Sequence, residues 1–234
     1  LAARAGLHGI LAVPIRLGRE VLGVMLFIAT TIERPDGPLL DTLAIAGNQI
    51  GQFIGRKRAE DERAELLVRE QAALAVDKDN PAALDGLGLL HADAGRPGDA
   101  AVAFARAAQI DPRNPSHWSN LANARREIGD LPAAEAAYRR ALTVDPNYPD
   151  ALNGLGVLFV QRGVPAQAIP FLTRAIERSP DFYEARLNLG IAYQQAGEQA
   201  KAAETYRALL ATAPPSASRE RKAAAELLKA IGAR

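Results

Sequence analysis

The sequence predicts a mostly α-helical protein, a solenoid of antiparallel helix pairs preceded by a short β-hairpin and a long helix. Three observations carry this expectation. Residues of five kinds recur in register every 34 positions between 81 and 216. Within each period, apolar residues keep the three- and four-residue spacing of a helix face, broken at fixed points by glycine and proline. Before residue 60 the period is absent, and two Val/Ile/Leu-rich runs flank a glycine-led turn.

The repeat organises most of the chain. Leu87, Leu121, Leu155 and Leu189 are each followed by a small residue, Gly88, Ala122, Gly156 and Gly190. Three positions further stand His91, Arg125, Phe159 and Tyr193, on the same face of a first helix. Gly95, Gly129, Gly163 and Gly197 end that helix, because glycine closes a C-terminus in the left-handed region without a Cβ penalty. A second helix follows. It carries Ala100, Ala134, Ala168 and Ala202, and four positions later the bulky Phe104, Tyr138, Leu172 and Tyr206. The alanine lets two helices approach, and the large side chain fills the space alongside. Pro112, Pro146, Pro180 and Pro214 stop the second helix, since proline neither donates to the helical ladder nor leaves its predecessor in the α region. Pro97, Pro132 and Pro165 fall in first turns, where a missing N–H costs little. Pro170 lies inside a second helix and is expected to weaken or bend it, at a cost of up to ~3 kcal/mol.

The stretch "PSHWSNLANARREIGDLPAAEAAYRRALTVDPNY", residues 115–148, holds the pattern most fully, with Trp118, Leu121, Ala122, Gly129, Ala134, Tyr138, Ala141 and Pro146 in place. On these residues the chain resembles the tetratricopeptide repeat family over 81–216, in four repeats: 81–114, 115–148, 149–182 and 183–216. Arg125 stands where an aromatic is usual, and Arg186 where Trp118 sits. The resemblance implies a right-handed solenoid. Stacked arrays need ends. Residues 59–80 read as a linker helix and half-repeat, with Ala73, Leu74, Val76 and Asp77 aligned to Ala141, Leu142, Val144 and Asp145. Residues 217–234 read as a capping helix that turns Ala224, Leu227, Leu228 and Ile231 inward and its Arg, Lys and Glu side chains outward.

At the other end, Ile10–Leu17 and Val21–Thr30 read as strands joined at Gly18-Arg19. After "ERPDGP", Leu39, Leu43, Ala46, Ile50 and Phe53 form an apolar stripe at helical spacing, with Ala46 leaving room for a close neighbour. In this order "GLHGILAVPI", "GREVLGVMLF" and "IGQFIGRKRAE" are similar to the C-terminal part of a GAF domain, which assigns residues 1–58 to it. That family builds its ligand pocket largely from upstream elements, so the resemblance carries no cofactor site to any residue here. Two strands alone are marginal in water, and the hairpin is expected to be ordered by packing on the 39–58 helix or on a second chain. The start at Leu1 points to a piece of a longer parent.

Composition narrows the function. With 28 basic and 27 acidic side chains there is no net field to attract nucleic acid or an anionic membrane, and neither is expected as a partner. The absence of cysteine excludes disulfides and thiolate metal sites and fits a cytoplasmic setting. The apolar run at 21–29 is far short of a bilayer span, and no basic segment precedes it as in a signal peptide. His8, His91 and His117 each lack a second ligand three or four residues away, so no metal is expected. "GLG" at 86–88 and 154–156 lies mid-helix, outside any phosphate-loop context. "RKRAEDERAE" alternates in sign, as a solvated helix face does. No catalytic constellation emerges, no cofactor is expected, and the chain reads as a non-enzyme.

What stacked helix pairs can do is bind, with their first helices lining the concave side. By family position the inward-facing candidates are Asp85, Leu89 and Ala92; Ser119, Asn120, Asn123 and Arg126; Asn153, Val157 and Val160; and Leu187, Asn188, Ile191 and Gln194. Asn120 and Asn188 match the position at which related repeats hold a bound peptide's backbone, a task suited to an amide with both donor and acceptor. Gly86 and Gly154 interrupt that series. The expected function is a protein–protein interaction scaffold for signal transduction, holding a peptide or helix and tethered to a GAF-like sensory domain. The alternatives are a regulatory segment of a signalling enzyme (histidine kinase, cyclase or repeat-containing glycosyltransferase) and an architectural role in which the N-terminal helix pairs two chains.

Overall fold

The computed structural model describes residues 9–29 and 37–232, which fall into two compact units parting between Val68 and Arg69. His8, Thr30 and most of the "ERPDGP" loop lie outside the described residues. In the first unit, β1 (Gly9–Leu17) and β2 (Glu20–Ala29) pair antiparallel. They turn at Gly18, whose φ of 60° is the left-handed value that the tight turn needs. Val13 faces Met25, and the register slips after Ile15–Gly23, so that Arg16 faces Val21 and Leu22 is the extra residue of a bulge.

The long helix α1 (Gly37–Val76) runs unbroken through the expected boundary at 58/59. Its meeting with β1 corrects the expected apolar stripe. The contact runs along Gly47, Gly51 and Gly55, four residues apart. A Cβ at Gly51 would stand 1.8 Å from the Arg16 carbonyl oxygen, and one at Gly47 2.6 Å from that of Pro14. Glycines at that spacing present a flat strip on which the main chain of β1 lies directly at Gly47 and Gly51, and the Leu17 side chain at Gly55. Flanking side chains are lifted clear of it. Ile50 and Phe53 are 36% and 65% exposed, Leu43 and Ala46 are half-buried, and the Leu39 side chain is outside the description. The charged stretch beyond is solvated as expected, with Lys57 Nζ 3.6 Å from Glu60 and 3.5 Å from Asp61.

The second unit is built of helix pairs. First helices are α2 (Pro81–Asp93), α4 (Pro115–Ile128), α6 (Pro149–Gln161) and α8 (Tyr183–Gln195). Second helices are α3 (Pro97–Ile110), α5 (Leu131–Val144), α7 (Pro165–Arg178) and α9 (Gln199–Thr212), followed by α10 (Ser218–Ala230). Each pair turns the same corner. Gly95, Gly129, Gly163 and Gly197 take φ of 69°, 91°, 73° and 81°. The residue after each donates its N–H to the carbonyl five residues back, Arg96 to His91, Asp130 to Arg125, Val164 to Phe159 and Glu198 to Tyr193, at 2.9 to 3.0 Å. This is the bond pattern of a helix closed by a left-handed glycine. Every second helix stops within two residues of its proline. Pro170 lies inside α7 as expected, and the helix runs on through it. The bond it forgoes would join two exposed residues, Ala166 and Pro170, where water can take up the freed carbonyl.

Close packing explains the small residues of the first helices. A Cβ would meet Phe104 at 2.5 Å from Gly88, Leu172 at 2.4 Å from Gly156, and Tyr206 at 2.3 Å from Gly190. In the second repeat the small residue is Ala122, and the Tyr138 ring lies instead on Gly154 of the next first helix, 2.2 Å from where a Cβ would be. At the front of the array, Glu70 holds the matching place, with its carboxyl carbon 2.9 Å from a Cβ at Gly86. Glu70 and Tyr138 are two repeat lengths apart, so the last turns of α1 act as a second helix for the first repeat. At the far end Ala224 of α10 is fully buried, with Leu227, Leu228 and Ile231 partly covered. Arg221 turns inward, not outward as expected, and its Nη1 caps α9 through the carbonyls of Leu210 (2.7 Å) and Ala213 (2.6 Å).

Candidate functional site

The candidate residues lie on α2, α4, α6 and α8, and the structure ties many of them to the neighbouring repeat. Asp85 is the centre of the first cluster. Asn120 donates Nδ2 to Asp85 Oδ1 at 3.1 Å, and His117 Nδ1 lies 3.2 Å from the same oxygen. Asn114 settles the imidazole tautomer. Its Oδ1 accepts from the N–H and hydroxyl of Ser116, so its Nδ2 faces His117 Nε2 at 3.1 Å as a donor. Nε2 therefore accepts, and Nδ1–H donates to Asp85. The histidine is 4% exposed, so this one ring is a buried strut between two repeats.

A second cluster repeats the geometry two units on. Asn188 donates Nδ2 to Asn153 Oδ1 at 2.9 Å, and Asn153 Nδ2 points to Glu184 Oε1 at 3.5 Å. Between the clusters the ladder fails. Ser119 occupies the place of Asp85 and Asn153 but faces a repeat that offers Gly154. It is 1% exposed, and its hydroxyl has no hydrogen-bond partner among the described residues. Its expected contact with a ligand is corrected on that ground, because the side chain is enclosed. Asn120 and Asn188 likewise spend a donor on the fold, and each keeps its amide oxygen as an acceptor.

Two tyrosines reach this face from behind. Tyr138 donates its hydroxyl to Asn123 Oδ1 at 2.5 Å, and Tyr206 donates to Gln194 Oε1 at 2.9 Å. Burial pushes both phenols up, Tyr206 to about 12, with Arg126 pulling the other way at Tyr138. Both stay protonated donors at neutral pH. Tyr148 is raised to about 12 as well, by burial first and then by Asp150, Asp85 and Asp145. The remaining candidates differ in reach. Leu89 is 49% exposed, whereas Ala92, Arg126, Val157 and Val160 are half-buried. Leu187 and Ile191 are partly covered, packing on the Tyr206–Leu209–Ala224 cluster that α10 completes.

Among the described residues, no three His, Cys, Asp or Glu side chains gather as a metal site would require, and no helix is long and apolar enough to cross a membrane. The face offers amide oxygens, a few aliphatic side chains and fixed spacing. Those are the means of holding a chain.

Successive helix pairs with equivalent corners define a helical-repeat protein. Family profiles described as tetratricopeptide repeat match residues 70–115, 119–181 and 159–227, and this region belongs to that family. Solved structures agree. The chain is similar to the crystal structure of MamA protein, at 26% identity and TM-score 0.55, over 67% of this chain and 85% of that one. It is also similar to TTC0263, a thermophilic TPR protein of Thermus thermophilus, at 22% identity and TM-score 0.62, over 76% and 96% of the two chains. A third is YrrB, described as a TPR protein with an unusual peptide-binding site, at 19% identity and TM-score 0.53, over 69% and 90%. At the identities of the last two the likeness is one of fold. No curated protein matches the chain.

Proposed function

We propose that this protein is a non-catalytic interaction scaffold that holds an extended or helical segment of a partner protein on the concave face of a right-handed repeat array. One observation carries the reading. Asn120 and Asn188 are fixed by inter-repeat bonds at equivalent positions two repeats apart, and each keeps its amide oxygen as an acceptor. Acceptors locked in place at a regular interval suit main-chain N–H groups of a bound segment and cost little entropy on binding. Leu89, Val157 and Ile191 supply apolar contact between and beside them. Asn123 and Gln194 hold the tyrosines and support the face from behind. In this reading residues 1–58 are a GAF-like sensory part and 59–80 a half-repeat. The repeats run 81–114, 115–148, 149–182 and 183–216, residues 217–234 form the cap, and the setting is cytoplasmic.

The test is a random peptide library selected on the full chain, followed by amide chemical-shift mapping of the selected sequences. Shifts should concentrate at Leu89, Asn120, Val157 and Asn188. Asn120→Asp, which keeps the size of the side chain but repels Asp85 and removes the amide, should weaken selected peptides at least about tenfold. Failure to select any peptide, or shifts confined to other faces, overturns the assignment.

A homodimer is a second reading, favoured by apolar side chains left in solvent on α1. Ile45, Phe53 and Val68 are 58%, 65% and 65% exposed. Light scattering should then give twice the chain mass, and Phe53→Asp should return it to one.

A further inference from the structure

The array contains a cleft on its opposite side, between α7 and α9, with α8 as its floor. It measures about 520 Å³ and is lined by Thr173 and Ile176, by Arg186, Leu189 and Tyr193, and by Lys201, Glu204, Thr205 and Ala208. Its meaning comes from the two equivalent places earlier in the array, which the protein fills with its own aromatic side chains. Between α3 and α5 the filler is Trp118, its indole N–H bonded to the Pro112 carbonyl at 3.0 Å and Arg140 lying 5.6 Å over its ring. Between α5 and α7 it is Phe171, stacked on Phe159 with centroids 5.6 Å apart. One repeat later, Thr205 stands in the place of Phe171 and Tyr193 in that of Phe159. Arg186 stands in the place of Trp118. It even keeps that residue's bond, donating Nη2 to the Pro180 carbonyl at 2.9 Å. The ring that should occupy the third place is missing, and the space remains.

The chemistry of the walls says what would fill it. Leu189 is buried at the base, Ile176 is half-buried beside it, and the Tyr193 ring forms one end. The volume lies within the range of ligand pockets. Arg186 closes the other end, bonded to two neutral groups: the Pro180 carbonyl and the Thr212 hydroxyl, the latter at 2.7 Å. No carboxylate pairs with it among the described residues. Lys201 is neutralised by Glu198, and its Nζ lies 5.4 Å from the Tyr193 ring centroid. Glu204, on the α9 rim, keeps negative charge away from the middle of the cleft. Charge complementarity therefore points to a single anionic group at the Arg186 end, beside an aromatic ring over Leu189 and Thr205.

We infer that this cleft is a second binding site, which takes an aromatic side chain with a neighbouring carboxylate from a partner peptide. It is independent of the concave face, and the two can fail separately. The probe is an N-acetylated, C-amidated peptide with an Asp-Phe-Glu core, titrated into the full chain and followed by amide chemical shifts. Shifts at Thr173, Leu189, Tyr193, Thr205 and Ala208 are the expected result. Thr205→Phe should abolish them while leaving the fold intact, because it restores the side chain that fills the preceding cleft. Arg186→Leu should weaken binding at least about tenfold, the loss of one charge-assisted hydrogen bond, whereas the same peptide with Asn and Gln for its acids should lose a comparable factor on the unaltered protein. Asn120→Asp should leave all of this unchanged. Absence of binding at millimolar peptide, binding that survives Thr205→Phe, or shifts confined to Asn120, Val157 and Asn188 each overturns the proposal.

Discussion

In the hairpin unit Gly51 faces a main-chain carbonyl, that of Arg16, whereas in the repeat array Gly190 faces a ring, that of Tyr206. Both glycines admit a close neighbour, yet the neighbours respond differently to crowding. A strand carbonyl is held by its ladder and cannot step aside without taking β1 with it. A ring is a side chain on a helix and has some freedom to tilt, though here the space around it is full. The hairpin unit therefore meets its helix mainly through close approach to glycines, with Val13 as its one buried apolar side chain among the described residues. The array is joined by interdigitated side chains, Phe104, Leu158, Leu172 and Tyr206 among them.

The strongest test of that contrast is Gly51→Leu. It should cost the hairpin about 3 kcal/mol, roughly a hundredfold faster amide exchange at 13–25, with the array unchanged. Equal protection before and after would show that the hairpin is held by something other than the glycine strip. Next comes Gly190→Ala, expected to lower the array's stability by about 2 kcal/mol in urea unfolding as the new methyl presses on Tyr206. A loss below about 0.5 kcal/mol would mean that the ring gives way freely, and the contrast would be softer than drawn. Tyr138→Phe keeps the ring on Gly154 and removes only the hydroxyl that Asn123 accepts. About 1 kcal/mol is the expected loss, measured in the same way.

The smallest effect concerns Glu135. Its bond with Arg139 is the main cause that holds this carboxyl below its usual range; burial opposes the shift, and Arg162 adds to it. A lowered folded value means that the stabilisation is complete above the unfolded carboxylate range and is lost as pH falls through the folded value. Glu135→Gln should therefore cost roughly 0.5 kcal/mol at pH 7, and the cost should shrink as pH falls below the ordinary carboxylate range. A loss independent of pH would assign the effect to packing.

Much of the array was legible because its signals are local. A glycine at each corner, a proline after each second helix, and alanine four residues before a bulky side chain each answer to neighbours on the same helix pair. What was hidden depends on partners a repeat away. Asn120 and Asn188 look like free amides until Asp85 and Asn153, 35 residues earlier, are seen to take their donors. Ser119 looks like a groove residue until the packed Gly154 leaves it enclosed. Arg186 reads as a lapse from the family pattern, and only the Pro180 carbonyl shows it standing in for a tryptophan. Near the start of the chain, Gly47, Gly51 and Gly55 were available as a spacing. The apolar residues between them drew attention to the wrong face.

The alternation of Gly86, Asn120, Gly154 and Asn188 has a consequence for how such a chain can be shortened. A single 34-residue excision, such as removal of 115–148, would set Asp85 against Gly154 and leave a carboxylate with nothing to answer it. Excising 115–182 would set it against Asn188, an amide in the place of the one it lost. The interchangeable cassette is thus a tandem of two helix pairs, and trimmed or lengthened versions should be tolerated in even steps.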